Sequence, residues 1–313
     1  MPADAAVAPD LLARLDAVGR LVGNTPLHEI TRVFSRPGVR VFAKLEWMQL
    51  GGSIKSRPGY NIIREAVRRG DYGRGQVLVD ATSGNTGIAY ASVAAAAGLP
   101  VKICLPDTAS AERIAIMRQL GADLVLTPGE AGVDGAQDQV RRFYEADPGG
   151  YFLADQYANP DNWGAHYKTT GPEVVEQTGG ALTHFVCALG TSGTQMGVGR
   201  YLRDHHPQAR LVALQPTSGE DFEGWKHMAT TGRVPPIYDA DLPDEFVTVT
   251  PAEADAMLRR LASEEGLLVS PSAAGNLVGA IKVAEGLDRG CVVTTFADDY
   301  AKYSADYARI FAV

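Results

Sequence analysis

Short runs that are apolar on both faces alternate along this chain with segments of helical period. The runs cover residues 39–43, 77–80, 101–105, 124–127, 151–154, 184–189, 211–214, 246–249 and 292–296. Continuous apolar runs of this length suit strands covered on both faces, as in a parallel sheet, whereas a half-solvated strand would alternate. Between them, apolar positions recur every three or four residues over 57–69, 86–97, 111–120, 135–146, 169–177, 194–205, 252–264 and 273–287, which predicts helices. The βαβα order predicts an α/β fold with parallel sheet, right-handed crossovers and helices over the sheet faces. Residues 216–243 interrupt the pattern with Gly, Pro and polar side chains. An irregular segment of that length is usually functional.

Composition narrows the picture without changing it. A chain of 313 residues suggests about two domains. Its 45% hydrophobic and 21% charged residues are those of a globular protein. With 29 Lys and Arg against 37 Asp and Glu, the net charge of -8 gives no reason to expect nucleic acid or an anionic membrane as partner. Any bound anion must be held locally. Three cysteines, Cys104, Cys187 and Cys291, lie in or beside apolar runs without CxxC or metal-ligand spacing. They read as reduced core thiols of a cytoplasmic protein with no metal site. Neither a signal peptide nor the roughly 20-residue apolar run of a membrane span is expected.

Three Gly/Ser/Thr-rich loops are the most specific feature: residues 81–87 (ATSGNTG), 190–194 (GTSGT) and 270–275 (SPSAAG). Each follows an apolar run and precedes a helix. Helix N-termini offer unpaired N–H groups and the positive end of the macrodipole, glycines admit close approach, and hydroxyls add donors. At the carboxyl edge of a parallel sheet such loops would face one ligand with several anionic or polar handles. Ser, Thr and Asn are also ordinary N-caps, so any one loop is explained about as well by capping. No GxGxxG, P-loop or GxSxG pattern is present. Lys55, after a Gly-Gly-Ser turn and beside Arg57, falls near a predicted helix start. Alone it reads as a solvated lysine. Beside like charge its ammonium is disfavoured, which suits an amine nucleophile or a Schiff-base lysine.

Together these residues resemble the fold type II pyridoxal-phosphate enzymes, and within them the cysteine synthase, or β-replacement, family. The motifs occur in that family's order: Gly23–Leu27 (GNTPL), KLE with GGSIKSR around Lys55, ATSGNTG, residues 155–160 (DQYANP), His166 with TTGPE at 169–173, GTSGT, then Ser272. Residues 105–127 and 159–180 look most like the cysteine synthase B branch. The resemblance implies a two-domain, tryptophan synthase β-like α/β architecture. A smaller, mobile domain over residues 41–152 would bind the substrate carboxylate, and residues 1–40 with 153–313 would form the larger cofactor domain. It further implies that Lys55 forms the internal aldimine with pyridoxal 5'-phosphate. Asn85 would hydrogen-bond the cofactor's phenolic oxygen. Gly190, Thr191, Ser192, Gly193 and Thr194 would cradle its phosphate, and Ser272 would face its pyridine nitrogen. Thr82, Ser83, Thr86 and Gln156 would hold the substrate carboxylate.

The implied reaction takes an O-activated L-serine to L-cysteine through an α-aminoacrylate, with Lys55 moving the α-proton. A serine opposite the ring nitrogen makes a weaker electron sink than an aspartate would, which suits ready β-elimination. The chain departs from the family at Gln49-Leu50, at Ser56, in the third loop and over residues 298–306, where Tyr303 keeps its place. Segment 219–228 is acidic and lacks arginine, which favours O-acetyl-L-serine over O-phospho-L-serine. Arg113, Lys226 and His227 are the cations that a phosphate leaving group would need. Ending at Val313, the chain is not expected to carry an appended regulatory module. The sulfur donor stays open among sulfide, thiosulfate and a thiocarboxylated carrier protein, and a homodimer is implied. Cystathionine β-synthase-type replacement, serine or threonine dehydration and a non-catalytic binding role remain alternatives.

Overall fold

The protein is described by a computed structural model over residues 9–73 and 75–312. The elements run α1 (Pro9–Gly19), β1 (Leu27–Ile30), β2 (Val39–Leu45), α2 (Ser56–Arg69), β3 (Val77–Ala81), α3 (Asn85–Ala97), β4 (Val101–Pro106), α4 (Ala111–Gln119), β5 (Asp123–Thr127), α5 (Gly132–Ala146) and β6 (Tyr151–Leu153). They continue with α6 (Pro160–Lys168), α7 (Thr170–Gln177), β7 (His184–Ala188), α8 (Gly193–His205), β8 (Arg210–Pro216), β9 (Glu245–Val249), α9 (Pro251–Arg260), α10 (Pro271–Glu285), β10 (Gly290–Phe296) and α11 (Ser304–Phe311). No helix among these is long and apolar enough to cross a membrane.

The chain divides into two compact units. The first comprises described residues 9–23, 49–51 and 55–162. Its four-stranded sheet has the order β5-β4-β3-β6 and is parallel throughout. Leu11, Leu15 and Val18 of α1 join Ile62, Ile63 and Val67 of α2 and Ile88, Val93 and Ala94 of α3 around Leu78 and Ile103. Ala136 and Val140 of α5 pack on Val79, Ala81 and Cys104. Strand side chains point alternately to opposite faces, so both faces of β3 are covered and its run must be apolar.

The second unit comprises residues 24–48, 52–54 and 163–312. Its six-stranded sheet has the order β1-β2-β10-β7-β8-β9 and is parallel except for the β1–β2 pair. Leu258 of α9 and Ala273, Leu277 and Ala280 of α10 pack with Val41, Val186, Val212 and Val292. Val174 of α7 and Val198 and Leu202 of α8 pack with Phe185, Leu211 and Val293.

The α/β class and the nine expected strands are present, and four elements are additional. β1 went unpredicted because only Ile30 of its four residues is buried. α1, α6 and α11 were also unpredicted. The helix expected over 252–264 ends at Arg260 and passes into a π-turn, Leu261–Glu265. The observed division also differs from residues 41–152 against the remainder. β2 belongs to the second unit because it pairs with both β1 and β10, and residues 9–23 belong to the first because α1 inserts its apolar stripe between α2 and α3.

Candidate active site

The loop over residues 81–87 leaves the carboxyl end of β3 and enters α3. Its backbone is bent at Gly84, where φ is +148°, a value other residues rarely adopt. A Cβ there would also overlap Cδ of Arg113, and one at Gly87 would stand 2.5 Å from Sδ of Met117. These two α4 residues, one helical turn apart, shape the loop from outside. Arg113 is buried, and its Nη1 donates to the Ser83 carbonyl at 3.4 Å.

Thr82, Ser83, Asn85, Thr86 and Gln156 are brought together in this unit. The Thr82 hydroxyl oxygen accepts the Gly84 N–H at 2.9 Å, which leaves its own proton available. The buried Thr86 donates to Oε1 of the buried Gln156 at 2.7 Å. Gln156 Nε2 donates to the Ala81 carbonyl at 2.6 Å. An amide nitrogen has two protons, so Gln156 retains one for a ligand, whereas Thr86 braces Gln156. Beneath the pair, Asp80 accepts the N–H of Ala81 at 2.8 Å and that of Gln156 at 3.1 Å. Asn85 opens α3 and is half-buried.

Lys55 belongs to the same unit. It is the half-buried residue immediately before α2, with helical φ −70° and ψ −13°, and its carbonyl accepts the Gly59 N–H at 2.9 Å. Arg57 is buried in the first turn. The turn before Lys55 needs glycine at both Gly51 and Gly52, where φ is +77° and +62°. Ser56 donates to the Leu50 carbonyl and closes the turn.

In the second unit, residues 190–194 lead from β7 into the thirteen-residue α8. Ser192 holds a left-handed φ of +67° as a non-glycine N-cap, and its hydroxyl donates to the Thr191 carbonyl at 2.6 Å. The Thr191 hydroxyl accepts the Gly193 N–H at 3.4 Å. A Cβ at Gly190 would overlap the Gly224 carbonyl oxygen. The buried His166 reaches the Thr194 hydroxyl at 3.3 Å through Nε2 and Thr170 at 2.9 Å through Nδ1. Asn276 of α10 accepts the Ala188 N–H at 3.0 Å and donates to the Thr295 carbonyl at 2.8 Å, pinning the strand end. Asn276 and Asp80 are not legible in the sequence because each has a partner far along the chain, 88 residues away for Asn276 and 76 for Asp80. Segment 217–243 carries no helix or strand. It lays Phe222 and Trp225, stacked at 4.3 Å, against Gly275.

Ser272 stands in the first turn of α10 in this unit, 3.0 Å from the hydroxyl of the N-cap Ser270, which accepts the Ala273 N–H at 3.2 Å. The expectation of three loops on one sheet edge is corrected. The first loop follows a strand of the four-stranded sheet and the second a strand of the six-stranded sheet. Before the third, Val269 forms only an isolated bridge with Asp299.

Each unit carries donors that suit one part of a phosphorylated aromatic aldehyde. A primary amine stands at a helix start. A full-length helix opens on glycine and hydroxyls suited to a dianion. The Ser270–Ser272 pair supplies an uncharged hydroxyl for a neutral ring nitrogen.

Comparison with known proteins agrees. The sequence model of the family described as pyridoxal-phosphate dependent enzyme matches residues 18–298. Cysteine synthase B of Escherichia coli K12 is 40% identical over 289 residues, covering 92% of this chain and 94% of that one. A cysteine synthase structure from Entamoeba histolytica superposes with TM-score 0.86 at 31% identity, covering 95% of this chain and 90% of the other. An O-acetylserine-dependent cystathionine β-synthase structure from Helicobacter pylori gives TM-score 0.83 at 34% identity, covering 92% and 96%.

Proposed function

The chain belongs to the pyridoxal-phosphate-dependent cysteine synthase family, and on that premise we propose that it makes L-cysteine from O-acetyl-L-serine and a sulfur donor by β-replacement. Pyridoxal 5'-phosphate supplies an aldehyde that condenses with amines and a ring that draws electrons from the substrate's α-carbon. Lys55 would hold the cofactor through its amine. As a free amine, Lys55 would be the general base that removes the α-proton and later returns it. Asn85 bonds the phenolic oxygen. Gly190, Thr191, Ser192, Gly193 and Thr194 hold the phosphate, with His166 fixing the Thr194 hydroxyl. Ser272 bonds the ring nitrogen. Thr82, Ser83 and the second amide proton of Gln156 hold the substrate carboxylate, with Thr86 acting through Gln156. Acetate leaves the β-carbon and the sulfur nucleophile takes its place.

The observation that carries this reading is the combination of Lys55 at one helix start with an uncharged serine at another. A serine leaves the ring nitrogen unprotonated and the electron withdrawal modest, which favours expulsion of a β-leaving group over transamination or racemisation. We assign substrate-carboxylate binding and mobility to the unit with the four-stranded sheet, and the cofactor phosphate to the other. A homodimer in a reducing cytoplasm, where three buried thiols stay reduced, completes the proposal. Sulfide, thiosulfate or a thiocarboxylated carrier protein serves as donor. The Helicobacter relative supports a second reading, with homocysteine as the nucleophile.

Borohydride should fix the cofactor to the peptide containing Lys55, read by mass spectrometry. Lys55→Ala should lose about a thousandfold or more of the sulfide-dependent cysteine formation. Wild-type turnover by Lys55→Ala overturns the mechanism. Steady pyruvate and ammonia from serine without sulfide would identify a dehydratase, and preference for homocysteine over sulfide the second reading.

A further inference from the structure

Asp80 is the one carboxylate among the described residues that touches both arms of the substrate-carboxylate network, and nothing in the chemistry above uses it. It sits at the end of β3, 3% exposed. One oxygen accepts the N–H of Ala81 at 2.8 Å, at the root of the 81–87 loop. The other accepts the N–H of Gln156 at 3.1 Å, on the segment that follows β6. The side chain of Gln156 returns to the same loop, accepting from Thr86 at 2.7 Å and donating to the Ala81 carbonyl at 2.6 Å. Asn162 Nδ2 in turn donates to the Gln156 carbonyl at 2.6 Å. Gln156 is thus held through its backbone and its side chain, with one amide proton left for the substrate, and Asp80 is the only charged member of the frame.

We propose that Asp80 is a positioning residue for substrate binding: its ionised carboxylate clamps Ala81 and Gln156 into the geometry that receives the amino-acid carboxylate, and its protonation releases the clamp. Two features make the clamp depend on ionisation. An ionised carboxylate accepts through both oxygens, whereas the neutral acid converts one of them into a donor facing an N–H. No cation among the described residues faces it to hold the charge. Facing Asp80 are Tyr90 from α3, Asp155 and Tyr157 from the segment after β6, and Cys104 from β4, all neutral or acidic. Burial first, and the Asp155 carboxylate in part, push the Asp80 carboxyl up to about 7, against the pull of the two N–H groups and Tyr90. The clamp is therefore complete above neutrality and loosens as pH falls.

This rests on the proposed O-acetyl-L-serine reaction, and the test separates the two. Asp80→Asn keeps the shape but offers one acceptor oxygen to two N–H groups. The ratio of wild-type to D80N kcat/KM for O-acetyl-L-serine should be close to 1 at about pH 5.5 and rise to about tenfold by about pH 8.5, the worth of a charge-assisted hydrogen bond. The change should lie in KM for the amino acid, with kcat and the KM for sulfide within about twofold. A ratio that does not vary with pH overturns the proposal. In the wild-type holoenzyme, hydrogen exchange at the Ala81 and Gln156 amides, corrected for intrinsic rates, should be slower at about pH 8 than at about pH 6. Equal protection at the two pH values also overturns it. A wild-type enzyme with no O-acetyl-L-serine activity refutes the substrate assignment, while the exchange measurement still reads Asp80 directly.

Discussion

Gly84 shows how much a single backbone angle decides at this site. Its φ of +148° suits glycine, and the space a Cβ would take belongs to the Arg113 side chain. Gly84→Ala therefore strains the backbone and displaces the stem of a buried cation, with a cost of roughly 1–3 kcal/mol in stability. Because the loop carries Thr82, Ser83 and Thr86, the KM for the amino-acid substrate should rise at least about tenfold while borohydride labelling at Lys55 persists. Steady-state kinetics beside a peptide map check this, and an unchanged KM would show that the loop tolerates the shift. The hydroxyls and glycines of the loops were legible in the sequence because capping and anion binding demand those residue types locally. Their supports were not. Asp80 and Gln156 are 76 residues apart, His166 and Thr194 are 28, and Ala188 and Asn276 are 88. No periodicity carries such pairings.

At the scale of elements, several motifs that identified the family prove to be framework. Lys44 on β2 is fully buried and donates from Nζ to the Thr25 carbonyl at 2.9 Å, to Gln177 Oε1 at 2.9 Å and to Glu173 Oε2 at 2.7 Å. Glu173 also accepts the Asn24 N–H at 3.0 Å, and Thr25 donates to Glu46 at 2.9 Å. GNTPL, KLE and TTGPE therefore meet in one polar knot binding β2 to α7. All three Lys44 protons are used, so removing the amine takes the Lys44 cation from a carboxylate that is only 12% exposed. Lys44→Met should cost about 3–5 kcal/mol, and Lys44→Met with Glu173→Met should recover most of it. Urea midpoints of the three proteins measure this, and a single variant as stable as wild type would show the knot to be idle. The strands of this framework were legible because both-face burial forces apolar runs. β1 was not, since only Ile30 of its four residues is buried, although α1 offered a readable stripe in Leu11, Leu15 and Val18.

For the whole molecule, charge and ligand pull in opposite directions. The net charge is -8, yet the proposed cofactor brings a phosphate dianion and the substrate a carboxylate. Long-range attraction cannot recruit them. On the proposed assignment, the attraction would come from helix termini and hydroxyls acting over a few ångströms, at α3, α8 and α10, where salt screens least. A protein that gathered phosphate by a basic surface would lose affinity as salt rises, because steering falls with ionic strength. Here the net charge repels, and salt weakens that repulsion. Raising ionic strength from about 0.02 M to about 0.2 M shortens the screening length from roughly 20 Å to below 10 Å. The affinity of the apoprotein for pyridoxal 5'-phosphate should then stay constant or improve by up to about threefold, with the on-rate rising and the off-rate unchanged. Stopped-flow absorbance at the two salt concentrations measures both rates. A tenfold loss of affinity on adding salt would mean that exposed cations, rather than the loop at residues 190–194, supply the phosphate site.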